Sequence, residues 1–258
     1  MKKIISVILA LTLSLSLLAA CKKPSEGSPG DNSLPEIKTA DEVREFKNAE
    51  GRVAYQVEYS IPDLTTDICS EFAAKFINDY INEFYLSPAF NFAEINVQNF
   101  RSEEKEPRKI TLTHEIKYRT NDVLSVVFKT SYSKASSVIE ARTFDLREGS
   151  VISFDRLLNG TDNSAKENVL LCIKDDAKTG FTDAPLTDEQ LAELDSAFDP
   201  VNFWFSDSGI TFVFNKSSVI SGLGATSGIY EYLLDWSWAY PLGLISSPEE
   251  LFTEATTA

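Results

Sequence analysis

Strand-patterned segments in this chain follow one another in pairs instead of alternating with helices, and that ordering restricts the fold more than any other feature. Val53, Tyr55, Val57, Tyr59 and Ile61 recur at every second position, as do Ile110, Leu112, Ile116 and Tyr118, with His114 on the same parity. A period of two is that of a half-buried strand. Asn121-Asp122 then leads into Leu124, Val126 and Phe128, the pattern of a hairpin. Segments 137–146 and 150–155 join around Glu148-Gly149, and 201–206 and 210–215 face each other across Asp207-Ser208-Gly209. Doubly wound folds require strand and helix to alternate, so the expected class is α+β, antiparallel sheets with packed helices. The expected organisation is a small N-terminal α/β module over 39–135 followed by a C-terminal α+β domain over 136–258, with the boundary between 130 and 160.

Five segments carry helix-start signals. Thr39 to Glu42 has the spacing of a capping box and predicts a short helix ending near Gly51. Thr65, Thr66 and Asp67 precede the strongest helical pattern, 67–86. There Ile68, Phe72, Phe76, Tyr80 and Phe84 recur every four residues, with Ile77, Ile81 and Tyr85 beside them, and Pro88 is expected to end the helix. Ser164 to Glu167 opens a helix closing at Gly180, and Thr187 to Gln190 opens another that runs to Asp199-Pro200. Ser247-Pro248-Glu249-Glu250 predicts a short last helix with Pro at its first position.

The N-terminus speaks to location. Lys2 and Lys3 precede an apolar run from Ile4 to Leu18, and Leu18-Ala19-Ala20-Cys21 resembles the bacterial lipobox. In that family of signals the peptide, here 1–20, is removed and the cysteine is acylated, which makes Cys21 the expected lipidation site. Several acyl chains on one residue anchor stably where one chain does not. Residues 21–38, rich in Pro, Gly, Ser and charge, read as the lipidated Cys and a flexible tether. The expected location is the bacterial cell envelope, anchored to a bilayer and extracytoplasmic.

Charge narrows the partners. With 24 Lys and Arg against 39 Asp and Glu, a formal charge of -15 excludes nucleic acid, whose phosphates need a basic surface. The same charge steers a cationic partner toward the chain. The single His and the two cysteines beyond Cys21, Cys69 and Cys172, are too few for a structural zinc site, and no cofactor motif is present. An oxidising compartment permits Cys69 and Cys172 to pair; helical placement of both argues for buried free thiols instead. His114 reads as a packed or surface residue, since neither a nucleophile elbow nor a phosphate loop accompanies it. Asp145, Glu148 and Asp155 flank one turn and are the carboxylates an envelope hydrolase would use. Aromatic residues crowd the last third of the chain: Trp204, Trp236 and Trp238, with Tyr230, Tyr232 and Tyr240. Alternation through 230–240 turns some rings outward, and Tyr230, Tyr232, Trp236 and Trp238 are the candidate ligand contacts, with core packing the alternative role for most of these rings.

Three runs carry a family resemblance: Val123-Leu124-Ser125-Val126-Val127-Phe128, Thr143 to Gly149, and Ile152 to Leu158. With Phe203 to Phe214 and Gly222 to Leu234 as the closing hairpin, glycine-rich turn and final strand, they resemble an extracytoplasmic domain of unknown function. That family includes the lysozyme-sensing part of RsiV-type anti-sigma factors and modules attached to peptidoglycan deacetylases. The resemblance covers roughly residues 50–252. It departs at Ser133-Lys134-Ala135-Ser136-Ser137, where the family carries Gly-Gly-Ala-His, and at Gly222 to Gly228, where it carries Pro-Tyr-Ala.

The expectation drawn from all of this is a monomeric, lipid-anchored envelope protein that binds a protein or cell-wall glycan without turning it over. A cationic lysozyme-like muramidase is the concrete candidate partner. The alternatives are an envelope hydrolase working through its carboxylates and a structural envelope lipoprotein.

Overall fold

Six strands, β1 (Lys38–Lys47), β2 (Val53–Asp63), β3 (Arg108–Arg119), β4 (Val123–Tyr132), β5 (Val138–Asp145) and β6 (Ser150–Val151), lie side by side in chain order. A computed structural model describes residues 34–101, 103–133, 137–160, 164–180, 186–215 and 229–253 of the chain. Cys21, the signal region, the tether to residue 33 and the run 222–228 lie outside the described residues. Neighbouring strands are antiparallel except β2 and β3, which run parallel. A parallel pair needs a long crossover, and here it is α1 (Glu71–Ile81), a five-residue π-helical segment (Asn82–Leu86) and α2 (Ser87–Asn96). The β4–β5–β6 meander continues the same sheet past residue 136. The mixed α+β class read from the strand order is the class observed.

Three local expectations fail for identifiable reasons. The capping-box spacing at Thr39 to Glu42 starts no helix; the segment is strand β1, paired with β2 from Lys38–Asp63 to Lys47–Val53. Ladder pairing with a committed neighbour outweighs a local capping preference. β1 is a sheet edge, and its mixed charges protect that edge from pairing with another chain. The expected helix from 67 begins later, because Ile68 and Cys69 fold back in a turn on the Thr65 carbonyl. Ser70 Oγ caps it instead, accepting from Ala73 N–H at 3.1 Å. Pro88 does not end the helix. Ser87 N–H donates to the Asn82 carbonyl five residues back, and this widened turn admits a residue with no N–H of its own. Pro88 then stands in the first turn of α2.

Helices and sheet meet along two buried clusters. Ile77, Ile81, Tyr85 and Leu86 pack with Ile61, Leu112, Val126, Phe128 and Phe144. Ala89, Ala93 and Val97 of α2 and its continuation meet Ala54, Tyr55, Val57 and Ile110. Gly149, in the β5–β6 turn, has φ +75°, and a Cβ there would lie 2.6 Å from Ala73 Cα. Only glycine permits that turn to touch α1.

The smaller layer is a three-stranded antiparallel sheet, β7 (Phe203–Phe205), β8 (Gly209–Asn215) and β9 (Ile229–Asp235). One face packs under α3 (Ala165–Gly180) and α4 (Asp188–Ala197), with Phe203, Phe205, Phe212 and Phe214 against Val169, Ile173 and Leu194. At α4 the predicted capping box is complete: Gln190 N–H donates to Thr187 Oγ1 at 3.3 Å, and Thr187 N–H donates to Gln190 Oε1 at 2.9 Å. The expected last helix is a 3-10 segment, Pro248–Phe252, and Glu250 accepts from Ser246 rather than from Ser247.

The other face of the small sheet docks on β4 and β5 through buried polar groups. Thr143 Oγ1 donates to the Phe203 carbonyl at 3.0 Å, and Ser125 Oγ accepts from Phe205 N–H at 3.1 Å. Asn202 Oδ1 accepts from Ala141 N–H at 2.6 Å, while Asn215 bridges Ile139 N–H and C=O at 3.0 Å each. These side chains stand in for the ladder partners that two different sheets cannot offer each other.

Candidate functional site

The four aromatic residues expected to contact a ligand do not converge. Tyr230 is buried, and its hydroxyl donates to Asp176 Oδ2 at 2.6 Å. Tyr232 and Trp236 pack against the same core. Burial, together with Cys172 and Asp176 nearby, pushes the Tyr232 hydroxyl up to about 12. Trp236 Nε1 donates to the Ser206 carbonyl at 3.1 Å, and its ring centre lies 5.7 Å from that of Phe205. Trp238 alone faces solvent, 66% exposed, beside the exposed Tyr240 on the short helix α5 (Trp236–Ala239) and the turn after it.

The carboxylates of the β5–β6 turn divide in a similar way. Asp145 is buried. Its Oδ1 accepts from the N–H groups of Arg147 at 2.9 Å and Glu148 at 3.2 Å, and its Oδ2 pairs with Arg156 at 2.8 Å. Both oxygens are therefore engaged in holding the turn. Glu148 and Asp155 are exposed on its rim. His114 Nδ1 lies 2.9 Å from the Ser60 carbonyl, which can only accept, so Nδ1 carries the hydrogen and ties β3 to β2. Cys69 and Cys172 are both free thiols. Among the described residues no three His, Cys, Asp or Glu side chains converge to hold a metal. No helix among them is long and apolar enough to cross a membrane.

What the fold does create is a trough. The helices cover one face of β1–β3, and on the opposite face the small sheet lies over β4, β5 and the C-terminal end of β3. The remaining strip of that face is open. A hollow of about 480 Å³ over β1–β3 is lined by Asp41, Val43, Glu58, Ser60, Thr111 and Thr113. It meets a second hollow of about 340 Å³ at Thr113, walled by Lys117, Lys129, Ile139 and, from β9, Ile229 and Glu231. Two of its carboxylates are paired: Glu58 with Lys109 at 2.7 Å, and Glu115 with Lys117 at 2.7 Å. Lys117 Nζ also stands 5.3 Å over the Trp204 ring. The Trp204 indole N–H is buried without an acceptor among the described residues.

Alternation in β2 and β3 already separates these residues from the helix-facing ones, since Glu58, Ser60, Thr111 and Thr113 occupy the second parity. Nothing local reveals that this parity is left uncovered, because that depends on where residues 203–235 dock.

No family model matches the chain, and the search of curated proteins finds no match. Among solved structures, a DUF3298 family protein from Pseudomonas aeruginosa PAO1 superposes with a TM-score of 0.52 at 13% identity, covering 86% of this chain and 99% of its own. A DUF3298 family member from Bacteroides fragilis gives a TM-score of 0.44 at 13% identity, covering 84% of this chain and 95% of its own. The chain is thus similar in fold to a DUF3298 protein, a member of a family of unknown function.

Proposed function

We propose that this chain is a lipid-anchored binding protein of the bacterial cell envelope, held to a bilayer through acylated Cys21 and recognising a protein or cell-wall ligand without chemical turnover. The observation that carries the binding half is the open trough. It is long and shallow, with hydroxyls and paired charges along its floor and apolar side chains at its walls. Such a surface suits an extended ligand held by many modest contacts; catalysis calls for titratable groups brought together in a cleft. The carboxylate best shielded from water, Asp145, has both oxygens engaged in a structural turn, which weighs against the hydrolase alternative. The anchoring half is supported by the lipobox at Leu18 to Cys21.

Calorimetry of residues 34–258 with a cationic lysozyme and with soluble peptidoglycan fragments, each at two salt concentrations, tests the proposal. Binding that survives physiological salt is expected for one of them. Thr113→Trp, which fills the trough at an exposed strand position, is expected to weaken that binding at least about tenfold. Binding unaffected by this substitution contradicts the trough. Release of new glycan ends that stops in Asp155→Asn contradicts the non-catalytic reading.

A further inference from the structure

The helical stripe that starts at Phe72 leads somewhere the trough does not. Ile77 and Ile81 of α1 are buried, but Phe72 and Phe76 are 70% and 50% exposed, and Phe84 in the π-helical segment is 52% exposed. Phe72 and Phe76 lie 6.3 Å apart between ring centres, and Tyr80 stacks on Phe84 at 4.3 Å. The rings form a ridge about 18 Å long at the helical rise. The three Phe rings alone present roughly 300–400 Å² of apolar surface. That equals the largest apolar patch an ordinary monomer carries, and such patches mark an interaction surface.

We infer that this ridge rests on the surface of the bilayer that holds Cys21. The inference rests on the anchoring half of the proposed function and adds the face the protein turns toward the lipid. Residues 22–33 separate Cys21 from Leu34, a length of chain that reaches at most about 40 Å. The described chain begins at the end of the sheet from which α1 springs. Lys38 pairs with Asp63 at the end of β2, and Ile37 is buried in one cluster with Ala74, Ile77 and Ile81. An anchored protein thus keeps the N-terminal end of the ridge close to lipid at high effective concentration. Exposed rings that follow one another along α1 and the π-helical segment enter an interface when this helical stretch lies flat, its apolar side about 5–10 Å into the boundary between headgroups and acyl chains.

The flanking charges say which lipid. Glu71, Asp79 and Glu83 outnumber Lys75, and Lys75 is itself paired with Asp79. An anionic surface would repel such a helix, so the ridge suits zwitterionic headgroups, and its contact is insensitive to salt.

The test uses full-length acylated protein carrying Phe76→Trp, reconstituted in zwitterionic vesicles with and without lipids brominated on the acyl chain. Emission is read as the difference from the unsubstituted protein. The expected result is a blue-shifted reporter quenched about twofold or more by the bromines, because a ring at that depth lies within their reach. The quenching should disappear when Phe72→Ser and Phe84→Ser are added, while Cys21-dependent sedimentation with vesicles persists. Sedimentation with an unquenched reporter overturns the inference and leaves the anchor standing. A reporter shielded only as protein concentration rises also overturns it, because a second copy then covers the ridge. Protein that does not sediment with vesicles overturns the anchoring half itself.

Discussion

Two groups of aromatic side chains in this molecule obey their local periodicities equally well and end in opposite places. Along α1 and the π-helical segment, Phe72, Phe76 and Phe84 keep a helical spacing and face water. Along β7–β9, Phe203, Phe205, Phe212, Phe214 and Tyr230 keep a strand spacing and form the centre of a core. Periodicity tells which residues share a face. Whether that face is covered is decided by segments distant in the chain. The small sheet receives α3 and α4 on one side and β4–β5 on the other, so both parities of its central strand β8 are buried, while Glu231 and Leu233 of β9 stay exposed. No described element lies over the ridge side of α1, so that row stays in solvent.

The largest effect expected from breaking this comparison is in the small sheet. Phe212→Ala removes a fully buried ring and should cost about 3–5 kcal/mol in urea unfolding, whereas Phe76→Ser should change stability by less than about 0.5 kcal/mol. Equal costs would mean that the ridge is not exposed. Asp145→Asn follows. It leaves Arg156 without its partner and weakens two turn hydrogen bonds, an expected loss of about 2–4 kcal/mol, while Asp155→Asn on the rim should be nearly silent. Within the C-terminal aromatics, Trp236→Ala should lose about 2 kcal/mol of packing and indole hydrogen bonding. Trp238→Ala should leave the thermal midpoint unchanged. A matched pair of midpoints would place both rings on one side of the surface.

The smallest expected effect is in pH dependence. The Tyr232 hydroxyl is raised from its ordinary value of 10 to about 12, chiefly by burial. The folded state holds that proton more tightly than the unfolded state does. The corresponding stability is therefore whole below pH 10 and is lost as pH rises through about 12. Thermal midpoints should fall over this interval, and Tyr232→Phe should make the fall shallower. An unchanged slope in that variant would show that Tyr232 is not shielded.

Much of the architecture was legible from the chain. The alternation of β2 and β3, the Asn121-Asp122 turn, the Glu148-Gly149 turn and the Thr187–Gln190 capping box are all local patterns, and all four recur in the structure. What local pattern could not supply was pairing partners. β1 has a helix-start signal and becomes a strand because β2 is beside it. Pro88 is a helix terminator that a π-helical turn absorbs. The same limit applies to the site. The polar parity of β3 is visible in its alternation, but the trough exists only because the small sheet covers no more than the C-terminal end of β3 and leaves β1 and β2 open. Alternation through 230–240 shows that some rings face out but not which, because that is decided by α3, whose Asp176 receives the Tyr230 hydroxyl.

The opposite burial of the two aromatic groups is tested most directly by hydroxyl-radical footprinting of residues 34–258 in dilute solution without lipid. Fast modification of Phe72, Phe76 and Phe84, with protection of Phe203, Phe205 and Phe212 until the protein unfolds, is the predicted result. Protection of the α1 rings at the same level as the strand rings, independent of protein concentration, would contradict it.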